Sequence, residues 1–125
     1  MPHTVVIVDD NAAMRQALCR LFKAAGGFQI CGEASNGMEA LKVVRELDPE
    51  LIVLDLCMPG INGLETAREL KHRNTSAPII LYSMNADQIG ETEAFASGVT
   101  AVVSKAEGIK TLITRARGIL HEEAA

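Results

Sequence analysis

The stretch TVVIVDDN, residues 4–11, decides the fold. Val5 to Val8 form a continuous apolar run of strand length, the pattern of a strand covered on both faces. Asp9 and Asp10 follow without a break. Two adjacent acids repel each other, and the repulsion grows at the margin of an apolar core. The pattern returns at LIVLDL, residues 51–56, where a second apolar run is closed by Asp55.

Strands and helices alternate outward from these two runs. After TVVIV comes NAAMRQALCRLFKAAGG, in which Met14, Ala17, Leu18, Leu21, Phe22 and Ala25 share one helical face. Asn11 suits its N-cap and Gly26 its stop. FQICGEA reads as a strand, and NGMEALKVVRELDPE as a helix with Ala40, Val43, Val44 and Leu47 inward, closed by Asp48-Pro49. CMPGING is a turn-rich loop, LETARELKHRN a helix, and APIILYS a strand entered through Pro78. ADQIGETEAFASG is expected to be helical up to Gly98, and AVVSK to be a strand ending at Lys105. GIKTLITRARGIL closes the chain with Ile109, Leu112, Ile113, Ala116, Ile119 and Leu120 on one face.

The result is a (βα)5 order, and strands buried on both faces imply a parallel sheet between two helical layers. Right-handed crossovers make it doubly wound. The expected fold is flavodoxin-like α/β with strand order 2-1-3-4-5, and ligands sit where the winding reverses, between the first and third strands. Residues 1–125 are expected to form a single domain.

Composition narrows the function. A net charge of −4 and scattered basic residues argue against a nucleic-acid surface. No apolar segment reaches the ~18 residues of a membrane span, and MPHTVV lacks the basic region and apolar stretch of a signal peptide. The expected location is cytoplasmic. Cys19, Cys31 and Cys57 are widely spaced with no C-x-x-C, so they read as buried structural thiols rather than zinc ligands.

In the expected topology, Asp9 and Asp10 meet Asp55 at the switch point, with Ser83 and Lys105 ending the next two strands at the same edge. One Asp after a strand is ordinarily a helix cap. Three acids, a hydroxyl and an ammonium at one sheet edge are a site. Hard oxygen ligands suit Mg²⁺. Asp55 has the position of a nucleophile that could form an acyl phosphate. Lys105 and the metal would neutralise a transferring phosphoryl group, and Ser83 could donate to its oxygens.

At these residues the sequence resembles the receiver domain of two-component response regulators, the CheY-like family, over essentially the whole chain. The motifs VIVDDN, LIVLDLCMPGINGLE, IILYSMN and AVVSKAEG occur in order at family spacing. YSMN and SKAEG are closer to receivers of the NarL/FixJ type, which precede a helix-turn-helix DNA-binding domain; that output domain is not expected within this chain. The resemblance implies that Asp55 is the phosphoacceptor. It implies that Asp10 is the direct Mg²⁺ ligand with Asp9 assisting, and that the Cys57 backbone carbonyl also binds the metal. Ser83 and Lys105 would contact the phosphoryl group. Met58-Pro59-Gly60 and Gly63 match the loop after the phosphorylated strand.

The implied partners are a sensor histidine kinase or phosphotransfer protein, a downstream protein or output domain, and a second copy on phosphorylation. The chain would be a signalling switch, not an enzyme beyond its own phosphorylation and dephosphorylation, and would present a changed surface on helix 4, strand 5 and helix 5. Two departures stand out: Val102 occupies the position of the usual aromatic switch, and Ala106 that of a Pro with a commonly cis bond. The alternative is a non-switching binding module, which loss of the acceptor acid would favour; Asp55 is present. A dehalogenase-type phosphatase needs D-x-D where this chain has VDDN, and a flavodoxin needs a hydroxyl- and glycine-rich loop where it has DDNAAM.

Overall fold

The computed structural model describes residues 2–84, 86 and 89–124, with the side chains of 122–124 excepted. Its elements are β1 (His3–Val8), α1 (Ala12–Ala25), β2 (Phe28–Ala34), α2 (Gly37–Leu47), β3 (Leu51–Leu54), α3 (Gly63–His72), β4 (Ile79–Ser83), α4 (Glu91–Ala96), β5 (Ala101–Ser104) and α5 (Ile109–Ala124). The strands form one parallel sheet in the order β2-β1-β3-β4-β5, as the apolar runs require.

Two cores flank the sheet. Val6, Val8, Ile52, Leu54, Ile79 and Leu81 point into one, under α2, α3 and α4. Val5, Ile7, Leu51, Val53, Ile80 and Tyr82 point into the other, under α1 and α5. The alternation is the strand's period of two, with both faces apolar because both are covered. Phe22 is fully buried and meets Phe28 edge to face, with ring centroids 4.9 Å apart; truncating such a ring costs about 3–5 kcal/mol.

Local signals set the helix ends. Asn11, Asn36 and Asn62 cap α1, α2 and α3, each accepting a backbone N–H in the first turn. Gly26 ends α1 at positive φ, +78°, and Asp48 ends α2 in the left-handed conformation at φ +45°.

Several expectations need correction. Leu21 and Leu47 are partly exposed, because each inward face is centred elsewhere. In α1 it centres on Leu18 and Phe22, bringing Cys19 against the core. In α2 Leu41 is buried instead, and Leu47 lies over Gly32 of the edge strand, where a Cβ would stand 2.6 Å from it. The helix expected from residue 86 begins at Glu91, because Gly90 is extended at φ −68°, ψ 137°; residues 87 and 88 of that expected helix lie outside the described residues. Lys105 is not the end of β5 but opens a 3-10 turn, Lys105–Glu107. Cys57 is exposed, and Cys19 and Cys31 are only half-buried.

Candidate functional site

The ends of β1 and β3 are tied together before any side chain is considered. The Asp55 N–H donates to Val8 O at 2.9 Å, continuing the ladder, and the Asp9 N–H donates to Ala34 O at 3.1 Å. This brings Asp9, Asp10 and Asp55 to one spot, with a carboxylate oxygen of each within 4.8 Å of the others. Asp9 and Asp55 are buried, whereas Asp10 is exposed. The loop after Asp55 folds back tightly: Gly63 N–H donates to Leu56 O at 2.8 Å. A Cβ at Gly63 would stand 2.3 Å from the Asp55 carbonyl oxygen, so a side chain there would displace the acid.

Lys105 reaches this corner from the far edge of the sheet. Ser104 and Glu107 form a capping box: Ser104 Oγ accepts from Ala106 N–H at 3.1 Å, and Glu107 Oε2 accepts from Ser104 N–H at 2.9 Å. The turn presents Lys105 Nζ 2.9 Å from Asp9 Oδ2 and 3.5 Å from Asp55 Oδ1. Nζ also lies 5.9 Å from the centre of the Tyr82 ring. The Tyr82 ring itself packs in the core under α1 and α5.

These surroundings set the charges. Burial pushes the Asp55 carboxyl above its ordinary range; the Lys105 ammonium opposes this, and the negative charge of Asp9 adds to it. Burial works against the Lys105 ammonium. Its hydrogen bond to Asp9 and the charges of Asp55 and Asp9 outweigh that and hold it above an ordinary lysine.

Asp9, Asp10, Asp55, Cys57, Ser83 and Lys105 all line one open cavity of about 350 Å³. Every site residue expected from the sequence is therefore at one place. The donor set, three clustered carboxylates open to solvent on one side, fits a hard divalent cation. Three contributors were not legible in the sequence. Arg15 and the Asn11 N–H bind Asp9 directly. Exposed Met84 lines the cavity mouth. The only signal for Arg15 is a cation in the first turn of the helix that follows the acidic pair.

Residues 5–117 match the response regulator receiver domain family. The chain is 33% identical over 124 residues to the nitrate/nitrite response regulator protein NarL of Escherichia coli (strain K12), a match covering 99% of this chain and 56% of NarL. It is 35% identical over 105 residues to the chemotaxis protein CheY of Thermotoga maritima, covering 84% of this chain and 87% of CheY. Among solved structures, a LuxR-family two-component response regulator from Aurantimonas sp. SI85-9A1 superposes with a TM-score of 0.90 at 27% identity, covering 98% of this chain and 87% of that one. The chain spans about half the length of NarL and of the GacA response regulator of Pseudomonas viridiflava, 56% and 53%.

Proposed function

The chain belongs to the response regulator receiver domain family, and from that premise we propose that it is a phosphorylation-dependent switch whose acceptor is Asp55. The observation that carries this reading is the clustering of Asp9, Asp10 and Asp55 at the switch point of the sheet, with Lys105 paired to Asp9 and Asp55. Asp55 lies beside the other two acids with its Oδ1 3.5 Å from Lys105 Nζ, on a strand end held by its own backbone hydrogen bond to β1.

The donor is a phosphohistidine of a sensor kinase or phosphotransfer protein. An Asp55 carboxylate oxygen attacks the phosphorus, the P–O bond forms as the P–N bond breaks, and the imidazole leaves and takes up a proton. Asp9, Asp10, Asp55 and the Cys57 carbonyl would hold Mg²⁺, which supplies charge neutralisation to the transferring group. Lys105 adds a second positive charge beside the acceptor, and Ser83 offers a hydroxyl to a phosphoryl oxygen.

Phosphorylation then shifts an existing equilibrium on the surface of α4, β5 and α5, toward a downstream protein, an output domain or a second copy. Val102, half-buried against the α4 side, has no ring to rotate. The signal would run instead from Ser83 through the loop that follows β4; Asn85 and Asp87 of that loop lie outside the described residues. The expected compartment is the cytoplasm, and the catalysis is limited to the domain's own phosphorylation and dephosphorylation.

Intact-mass spectrometry after incubation with acetyl phosphate and Mg²⁺ tests the reading. One phosphoryl group is expected, and none in Asp55→Asn. An adduct of unchanged yield in that variant would place the acceptor elsewhere.

A further inference from the structure

We infer that Arg15 is a positioning residue, clamping the turn that carries Asp9 and Asp10 so that both acids stay aimed at the cation site. The inference rests on the receiver reading. Both backbone groups of Asp9 are bonded. Its N–H is used by Ala34 O. Its carbonyl lies past the last paired residues of β1 and β3, Val8 and Leu54, where the chain turns away toward α1. A buried carbonyl there needs a donor. Arg15 Nη1 supplies it at 2.7 Å, a charge-assisted bond.

The same guanidinium is anchored on its other side. Its Nε lies 3.4 Å from Glu33 Oε1, and Glu33 is the residue before the end of β2. The Arg15 side chain is only 20% exposed. Its backbone N–H donates to Asn11 O, which places it in the first turn of α1, reaching back over the acids. Arg15 thus ties α1, β2 and the β1–α1 turn into one unit. Asn11 N–H on Asp9 Oδ1, at 2.9 Å, completes the hold on the backbone side. Asp10 is exposed, so its aim depends on the backbone of this turn. The planar fork meets the two oxygens through separate nitrogens, Nη1 and Nε, held in fixed geometry, which a lysine's single nitrogen does not reproduce.

The test uses Mg²⁺ alone in calorimetric titration, then the rate of phosphorylation by acetyl phosphate over a range of Mg²⁺ concentrations. Arg15→Ala should raise the Mg²⁺ Kd about tenfold, the low end for losing an outer-shell support. The Mg²⁺ concentration for half-maximal phosphorylation should rise in step, while the rate at saturating Mg²⁺ stays within about twofold of wild type. A merely structural role would not split the two parameters in this way. Arg15→Lys should fall between. If Arg15→Ala does not fold, Arg15→Lys and Glu33→Gln decide: raised half-saturation in both supports the clamp, and wild-type values in both overturn it. Wild-type Mg²⁺ affinity in Arg15→Ala also overturns it. A wild-type chain that neither binds Mg²⁺ nor accepts a phosphoryl group would instead overturn the receiver reading itself.

Discussion

Two ion pairs of identical length stand at opposite ends of the sheet. Lys105 Nζ lies 2.9 Å from Asp9 Oδ2 at the carboxyl end, and His3 Nδ1 lies 2.9 Å from Glu50 Oε2 at the amino end. The first pair is 9% and 3% exposed, the second 38% and 51%. Distance alone would rank them equal. Burial separates them, because an exposed pair trades one set of water contacts for another, whereas a buried pair has given up its water and depends on its partner. The pair at the carboxyl end also carries an excess: Asp55 shares the lysine with Asp9, and Asp10 adds a third carboxylate to the cluster. A fold selected for stability alone has no use for that excess, and a cation site does.

Removing the buried lysine should produce the largest effect on stability. Lys105→Met leaves Asp9 and Asp55 facing each other without their cation. It should cost about 3 kcal/mol in urea unfolding without metal, the lower end for breaking a buried pair, because the cavity is open to water. Adding Asp9→Asn should recover part of the loss, giving a coupling energy in a double-mutant cycle. A loss below 1 kcal/mol would make the buried pair equivalent to the exposed one. The pH sign follows from the raised lysine value: its stabilisation is fully present below the ordinary lysine pKa of about 10.4 and is lost as pH rises through the higher folded value.

A smaller effect is expected from metal. Mg²⁺ relieves the excess negative charge, so it should raise the melting temperature, by about 1.4 kcal/mol of stability at ten times its Kd. Asp10→Ala should abolish most of that response and leave the metal-free protein as stable as wild type or more so, since one repelling charge is gone. Differential scanning fluorimetry over a Mg²⁺ series reads both. An unchanged response in Asp10→Ala would move the metal away from these acids.

The contrast between the two ends also marks what the sequence made legible. β1, β3 and β4 could be read because a strand covered on both faces is apolar throughout, and the acids at the ends of β1 and β3 were placed by topology alone; the edge strand β2, with Gln29 and Glu33 exposed, was read from its place in the alternation. Lys105 was found for the same reason, although the capping box of Ser104 and Glu107, not the strand, holds it. The start of α4 was misread because a helical pattern in residue types does not reveal a break at one residue, and Gly90 is extended, so that α4 begins at Glu91. Leu21 and Leu47 were misplaced because periodicity defines a face only to within about a residue's width; which edge of it is buried depends on the neighbour. Arg15 and the His3–Glu50 pair were invisible for a different reason. Arg15 acts on a backbone carbonyl, and His3 and Glu50 are far apart in the chain, so neither interaction leaves a pattern in residue types.

The smallest effect should come from the exposed pair, and its pH dependence should run opposite to that of the acceptor. The hydrogen bond from His3, then that from the Thr4 N–H, holds Glu50 below its ordinary value. Its stabilisation is therefore present above the ordinary glutamate pKa of about 4.3 and is lost as pH falls through the lower folded value. Asp55 is raised by burial, so its ionised form penalises the fold above that raised value, and the penalty lifts as pH falls through it. Glu50→Gln should cost no more than about 0.5 kcal/mol at neutral pH, discounted because the pair is half in water, and the gap to wild type should close below pH ~4. Metal-free Asp55→Asn should be more stable than wild type at neutral pH, and that gap should already narrow as pH falls toward the ordinary aspartate value from above. Urea midpoints for the two variants between pH ~7 and ~3.5 span both ordinary carboxylate values. If the Asp55→Asn gap widened in acid instead, burial would not be the dominant influence on Asp55, and the two ends of the sheet would differ in exposure but not in sign.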